Sequence, residues 1–215
     1  YGMVASNEFE EAWLDEGINS WCEGEIMSAA YGARDGLVDL PSLKMGSIAA
    51  RRGAFMRAGG RDPATLPSWE FLDRGSYVGV SYDKTALALD SLAGYVGHDT
   101  VVDGLRRYFQ RWRFRQPRGG DFTAAMTDTA GFDLAWFFDQ TLASSATVDY
   151  AVTRVSSQPA AAFAGIDVPP QPAPPADTYL STVVIERLGE ARLPVGVQVV
   201  FDDGSETHEK WDGQA

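Results

Sequence analysis

The chain has 215 residues, 45% of them hydrophobic and 22% charged, a globular composition that excludes disordered, collagen-like and fibrous proteins. Its formal net charge of −12 would repel a phosphate backbone, so we expect no nucleic-acid partner. Its longest apolar stretches, such as Thr85–Val96, are far shorter than the roughly 20 residues that span a bilayer, so we expect no transmembrane segment in this chain.

An acidic segment lies near the start of the chain, where the sequence reads Asn7-Glu-Phe-Glu-Glu-Ala-Trp-Leu-Asp-Glu-Gly-Ile-Asn-Ser-Trp-Cys-Glu. On a helix, the acidic first turn complements the positive end of the helix dipole, and Trp13, Gly17 and Trp21 fall on one face. The segment therefore predicts an amphipathic helix. From the residues alone, its carboxylates are expected to face water, as acidic runs usually do.

The region after this helix is less regular. Residues 32–77 are richer in Gly, Pro and Arg, and their weak periodicity predicts a helix or two around residues 42–56 with loops elsewhere. Apolar residues then recur at helical spacing over residues 87–96 and again over residues 101–109. These two segments predict a pair of packed antiparallel helices.

Glycine and aspartate mark the predicted helix ends. Gly97 is expected to end the first helix of the pair. Asp99 is expected to cap the second, because its side-chain oxygen can accept a hydrogen bond from a free backbone N–H. Asp121 and Asp133 repeat this scheme before two short apolar helices, with Gly131 between them.

The last third of the chain has a different pattern. Apolar residues alternate at period two near residues 148–155, and two further runs, Tyr179–Arg187 and residues 195–201, also predict strands. A Pro-rich stretch at residues 168–175 cannot supply ladder donors and favours an extended loop. Asp202-Asp-Gly predicts a hairpin turn.

These patterns predict an α+β fold with two regions. The first, residues 1–145, is mainly α. The second, residues 146–215, is a partial β-rich, sandwich-like domain that is expected to be cut short.

The segment Trp13-Leu-Asp-Glu-Gly-Ile closely resembles the Trp-Leu-Asn-Glu-Gly-Phe segment of the membrane alanyl aminopeptidase family, which belongs to the gluzincin zinc metallopeptidases. In that family the Glu is the third zinc ligand, after a His-Glu-x-x-His helix. The resemblance implies that Glu16 is a metal ligand. Only fifteen residues precede Glu16, fewer than separate the family's second histidine from this Glu, so the chain is expected to begin just after that histidine.

A second match supports the first. Ser81-Tyr-Asp-Lys-Thr-Ala-Leu resembles the family's Tyr-x-Lys-Gly segment, which implies that Tyr82 is the catalytic tyrosine. A phenol there can donate a hydrogen bond to the oxyanion that forms when water attacks a peptide carbonyl. The residues alone also allow an ordinary, half-buried tyrosine at a helix start. Thr85 departs from the glycine that is usual in the family.

A third match runs from Phe122 to Leu142 and includes Gly131-Phe-Asp-Leu-Ala-Trp-Phe-Phe-Asp-Gln-Thr-Leu, which is similar to a structural helix of the family. Its aromatic residues are expected to belong to the core. Together the three matches span about residues 1–155, and their order along the chain is more specific than any one of them. Residues 1–145 would then be the helical C-terminal part of a thermolysin-like catalytic domain.

The resemblance implies a zinc-dependent aminopeptidase that removes N-terminal residues from peptides. A catalytic zinc takes three protein ligands and leaves a fourth position for water. Two ligands and the general base would lie in the N-terminal portion of the same protein, so this chain alone is expected to bind no zinc and to be inactive. Peptide substrate and that missing portion are the implied partners.

Two alternatives remain open: a catalytically inactive relative that acts as a scaffold or binding protein, and a glycyl aminopeptidase-like enzyme, which shares the Glu-Gly helix. A Gly-Leu-Gly-Phe type loop would favour the second, and the sequence has none. Neither His98 nor His208 has a partner at metal-ligand spacing, and both are expected at the surface. Cys22, the single cysteine, is expected to be a small core residue and leaves the cellular compartment open.

Overall fold

The computed structural model describes residues 2–34, 36–59, 61–160, 175 and 178–212. The chain divides into two compact units, one formed by Tyr1–Thr147 with Leu193–Ala215, the other by Val148–Arg192. The helices of the first unit are α1 (Glu8–Tyr31), α2 (Ser47–Ala58), α3 (Arg74–Val78), α4 (Thr85–Val96), α5 (His98–Trp112), α6 (Gly119–Ala130) and α7 (Ala135–Thr141).

Helix α1 forms as its sequence predicts. The Asn7 side chain accepts a hydrogen bond from the Phe9 N–H at 3.1 Å and so caps the first turn, which is acidic. Both Trp13 and Trp21 are buried, which confirms the predicted apolar face. The helix is bent at Glu11, where the backbone leaves helical geometry (φ −144°, ψ 62°).

The region around residues 38–58 differs from the prediction. The helix starts at Ser47, later than expected, and the residues before it form a hairpin of two short antiparallel strands, β1 (Val38–Leu40) and β2 (Leu43–Met45). Pro41 and Ser42 make the tight connection between the strands, and proline favours such a turn because its φ is already fixed. Each strand has only three residues, too few to show an alternating pattern in the sequence.

Residues 74–96 form one nearly continuous helix whose middle is a π-helical turn. Helix α3 begins after Asp73, whose carboxylate accepts a hydrogen bond from the Ser76 N–H at 2.8 Å. It runs into a π-helical stretch, Gly79–Lys84, which we call the π segment, and this leads directly into α4. The prediction that Gly97 ends this helix is confirmed, and Gly97 has a positive φ of 97°.

The predicted acidic caps were only partly right. Helix α5 begins at His98, so Asp99 lies inside the first turn and does not cap it. Helix α6 begins at Gly119, and Asp121 sits at its third position, where it accepts a hydrogen bond from the Arg118 N–H at 2.9 Å. Asp133 accepts from the Ala135 N–H at 2.9 Å, as expected of a residue at a helix start.

Aromatic side chains form the centre of the helical core. The ring of Phe122 makes edge-to-face contacts with Trp13, Tyr108 and Phe138 at centroid distances of 5.4–6.1 Å. Phe137 is also buried. The prediction that the aromatic residues of the 131–142 segment belong to the core is therefore confirmed for Phe137 and Phe138. It is wrong for Phe132, which is exposed.

The strands after the helices are antiparallel. In the second unit β3 (Tyr150–Pro159) pairs with β4 (Tyr179–Arg187), with an irregularity between Val152 and Arg154. In the first unit β5 (Val195–Val200) pairs with β6 (Glu206–Trp211) across the predicted turn, where Gly204 has a φ of 82°. Strand β3 begins two residues later than predicted.

The observed fold is a mainly helical α+β fold with small antiparallel sheets, which confirms the predicted class. The predicted Pro-rich loop at residues 168–175 lies outside the described residues except for Pro175. The division into domains at residue 145 stays a prediction. Within the described ranges, no helix has both the length and the apolar character needed to cross a membrane.

Candidate active-site residues

The carboxylates in the middle of α1 do not face water. Glu16 is 8% exposed and Asp15 is 7% exposed, so the expectation of a solvated acidic face is wrong for these two residues. Burial, a hydrogen bond with Glu8, and the negative charges of Glu8 and Glu16 together raise the pKa of Asp15 to about 7. Carboxyl groups whose pKa is strongly raised by burial and by neighbouring charge occur often at functional sites.

Helix α1 approaches the π segment closely at Gly17. A β-carbon added at Gly17 would lie 2.8 Å from the Ser81 carbonyl oxygen and still closer to the Thr85 side chain. Only glycine fits without a shift of one element. Because Gly17 follows Glu16 and Ser81 precedes Tyr82, this contact brings the backbones next to the two predicted site residues together.

We expect Gly17→Ala to destabilise this chain by about 1–3 kcal/mol, because the added methyl group meets backbone as well as side-chain atoms. Gly94→Ala is a matched control, since it lies in α4 and an added β-carbon would meet nothing within 4 Å. The control should stabilise the chain by about 0.5–1 kcal/mol, because alanine is the better helix former. Urea denaturation of both variants measures the difference, and equal effects would contradict the close packing of Gly17.

Tyr82 lies half-buried in the π segment. Single π-helical turns are rare and occur often at functional sites, so the local backbone favours a functional role. Thr85 is fully buried, and its hydroxyl donates to the Val80 carbonyl oxygen at 3.1 Å. Its side chain lies against Gly17, so the departure from the usual glycine at this position is accommodated by the glycine that faces it.

Two ionic side chains that follow Tyr82 anchor the π segment to other elements. Lys84 is buried, and its Nζ donates to the Ser144 carbonyl oxygen at 2.5 Å. Burial lowers the pKa of Lys84 to about 8. Asp83 accepts a hydrogen bond from Arg51 of α2 at 3.3 Å. Burial raises the pKa of Asp83, and the Arg51 charge opposes that rise.

Sequence reasoning missed a second phenol near Glu16. Burial is the largest cause that raises the pKa of Tyr77. A hydrogen bond with Ser68 lowers this pKa, and the negative charges of Glu16, Glu8 and Asp15 raise it further. Tyr77 therefore lies within electrostatic range of the predicted metal ligand. The one feature of the sequence that could have pointed to Tyr77 is its position five residues before Tyr82.

Comparison with known proteins identifies the family. The model of the peptidase family M1 domain matches residues 2–141, well over half of the chain. The chain belongs to peptidase family M1. That match covers both Glu16 and Tyr82, and it confirms the relationship that the sequence resemblance implied.

One individual relative is similar to this M1 chain in sequence, and one solved structure is similar to it in fold. Aminopeptidase N of Streptomyces lividans is 36% identical over 137 residues, which are 61% of this chain and 15% of the relative. The crystal structure of Legionella pneumophila aminopeptidase A in complex with aspartic acid matches 95% of this chain and 21% of that one, with a TM-score of 0.57. At 13% identity the second match shows similarity of fold.

The described residues of this M1 chain do not make a complete zinc site. They contain no group of three His, Cys, Asp or Glu side chains that could hold a metal ion. His98 is exposed and bonds to Glu25 at 2.6 Å, and His208 is exposed beside Glu206, so both predicted surface positions are confirmed. A carboxylate is one of the ligand types that zinc accepts, so the assignment of Glu16 as a ligand stays a prediction.

A cavity of about 430 Å³ lies elsewhere in the helical unit, and neither Glu16 nor Tyr82 lines it. Its lining includes Glu11, Trp13 and the first residues of α6, and the Gly119 N–H already donates to Glu11 at 2.8 Å. The prediction that Glu16 and Tyr82 face one open cleft stays a prediction.

Proposed function

We propose that this M1 chain contributes part of the active site of a zinc-dependent aminopeptidase that hydrolyses N-terminal residues from peptides. In this proposal Glu16 is a zinc ligand and Tyr82 donates a hydrogen bond to the oxyanion formed during peptide hydrolysis. The close contact between Gly17 of α1 and Ser81 of the π segment is the observation that supports it most, because catalysis requires convergent groups.

The two further zinc ligands and the general base would come from residues outside this sequence. The sequence has two histidines and no His-Glu-x-x-His, and the chain spans only 15% and 21% of the length of the two relatives described above. When bound, zinc would act as a Lewis acid and lower the pKa of water. The role of this chain is to present a buried carboxylate on α1 and a phenol on the anchored π segment.

Tyr82 is suited to the proposed role because its backbone is held on several sides. Hydrogen-bond donors stabilise a developing oxyanion best when they need not reorganise during the reaction. The two residues after Tyr82 are tied to α2 and to the Ser144 carbonyl, and Ser81 packs on Gly17. A phenol on such a segment keeps a fixed position relative to α1.

The test uses the whole protein that contains this chain, assayed for release of the chromophore from a panel of chromogenic amino-acid amides. Zinc content is measured on the same samples. The proposal expects turnover that is lost on chelation and recovers with zinc. A zinc-replete protein that cleaves none of the amides would instead support a catalytically inactive relative.

We expect this chain by itself to bind no stoichiometric zinc, since one carboxylate gives little affinity where three ligands are needed. Metal analysis after dialysis against zinc checks this expectation, with Glu16→Gln as the control. About one zinc per chain, lost in the Glu16→Gln variant, would contradict it.

A further inference from the structure

We propose that Arg51 is a positioning residue that fixes Tyr82 relative to the helix carrying Glu16. The inference rests on the proposed function, and it assigns to α2 a role that the sequence did not suggest. The side chain of Arg51 bonds to Asp83 and to Ser20, which lie near Tyr82 and Glu16 along the chain. Arg51 acts through these neighbours.

The guanidinium of Arg51 joins three elements. One terminal nitrogen, Nη1, donates to the Asp83 carboxylate at 3.3 Å. The other, Nη2, donates to the Ser20 carbonyl oxygen at 2.8 Å and to the Glu23 carboxylate at 2.9 Å. Asp83 is next to Tyr82 in the π segment, and Ser20 lies one turn beyond Glu16 on α1. A single side chain therefore links the two elements that carry the predicted site residues.

Burial makes this link more than a surface ion pair. The side chains of Arg51 and Asp83 are only 15% and 12% exposed, whereas Glu23 is 71% exposed. Water screens the contact with Glu23 strongly and the contact with Asp83 much less. A buried pair of this kind is weak evidence for added stability, but it can fix one arrangement among several.

The geometry also explains why arginine is needed. A planar guanidinium has separate donors in a fixed fork, so it can bond Asp83 and the Ser20 carbonyl at once, one on each terminal nitrogen. The ammonium of lysine is a single point of charge and cannot hold both partners at that separation. Arg51→Lys is therefore expected to keep part of the link, and Arg51→Met is expected to lose it.

The first experiment measures kcat, KM and zinc content of the whole protein. Arg51→Met should lower kcat by about ten- to a hundred-fold, since a displacement of about 1 Å at the reacting centre can have an effect of that size. KM and zinc content should change by less than about three-fold. Arg51→Lys should lower kcat by an intermediate factor. If Arg51→Met does not fold, the kcat of Arg51→Lys tests the inference in its place.

Arg52→Met is the matched control because it removes the same charge from the same helix at an exposed position. It should leave kcat unchanged. An unchanged kcat in both Arg51 variants, or the same fall in Arg52→Met, would overturn the inference.

A double variant separates positioning from general damage. If Arg51 acts through Tyr82, Arg51→Met should lower kcat by less than about three-fold when Tyr82 is already Phe, because the phenol is no longer there to be misplaced. A general loss of structure would lower kcat by the same factor in both backgrounds, and that result would overturn the inference.

Hydrogen exchange keeps the inference testable if the proposed function fails. Loss of the link should make the backbone amides of residues 79–84 exchange at least about ten-fold faster in Arg51→Met than in Arg52→Met, with α5 unaffected. If the whole protein is inactive and the exchange rates differ in this way, the proposed function fails while the link stands. If exchange at residues 79–84 is unchanged, the link itself is wrong.

Discussion

Replacing Tyr82 by Phe in the whole protein is expected to lower kcat by about two to three orders of magnitude, the usual loss for one oxyanion donor. KM should change much less, because a hydrogen bond made mainly in the transition state contributes little to ground-state binding. The substitution removes one hydroxyl and keeps the ring. The free energy of unfolding should therefore fall by no more than about 1.5 kcal/mol.

Tyr95→Phe is the matched control for this experiment. It removes the same hydroxyl from α4, where the Tyr95 ring packs against Phe132 and Trp136. Turnover on a chromogenic amino-acid amide should be unchanged in the control. Full activity in a zinc-replete Tyr82→Phe protein would remove Tyr82 from the mechanism.

The fold was predictable where local sequence determines local structure. Trp13, Gly17 and Trp21 repeat at helical spacing, and the observed α1 buries the face that carries them. Gly97 ends α4 because glycine accepts the positive φ that this helix end requires. The bounds of β4 also agree with the strand predicted at Tyr179–Arg187.

The sequence did not predict the features that depend on contacts between distant residues. The π segment is one of them, because nothing in Gly-Val-Ser-Tyr-Asp-Lys distinguishes it from an ordinary helix. The contact between Arg51 and Asp83 joins residues 32 positions apart. Arg51 also lies in a stretch of weak periodicity, where sequence patterns carry little information about packing.

The candidate site also combines features that could be predicted from the sequence with features that could not. Composition and periodicity alone placed Glu16 on a water-facing helix surface. This was wrong because Glu16 is buried, on a helix that packs closely against the π segment at Gly17. The assignments of Glu16 and Tyr82 came from the family resemblance. That resemblance identified residues by their motifs and by the order of those motifs. It did not predict the positions of Tyr77 and Arg51 or the contacts that anchor the π segment.

Glu16→Gln in the whole protein is expected to have the largest effect of all. The amide keeps the shape of the side chain but removes the negative charge that favours zinc, so zinc content and turnover should both fall, turnover by about a thousand-fold or more. Glu10→Gln is the control, because it makes the same change on the same helix at a partly exposed position that pairs with Arg118. It should retain both zinc and activity.

Added zinc distinguishes the two proposed roles. A weakened metal site still fills at a sufficiently high zinc concentration, so the turnover of Glu16→Gln should rise with zinc until the site is occupied. The turnover of Tyr82→Phe should not respond, since its metal site is intact and only the oxyanion donor is lost. A Glu16→Gln protein that keeps its full zinc content would show that Glu16 is not a ligand, and the remaining carboxylates of α1 would then need to be tested in turn.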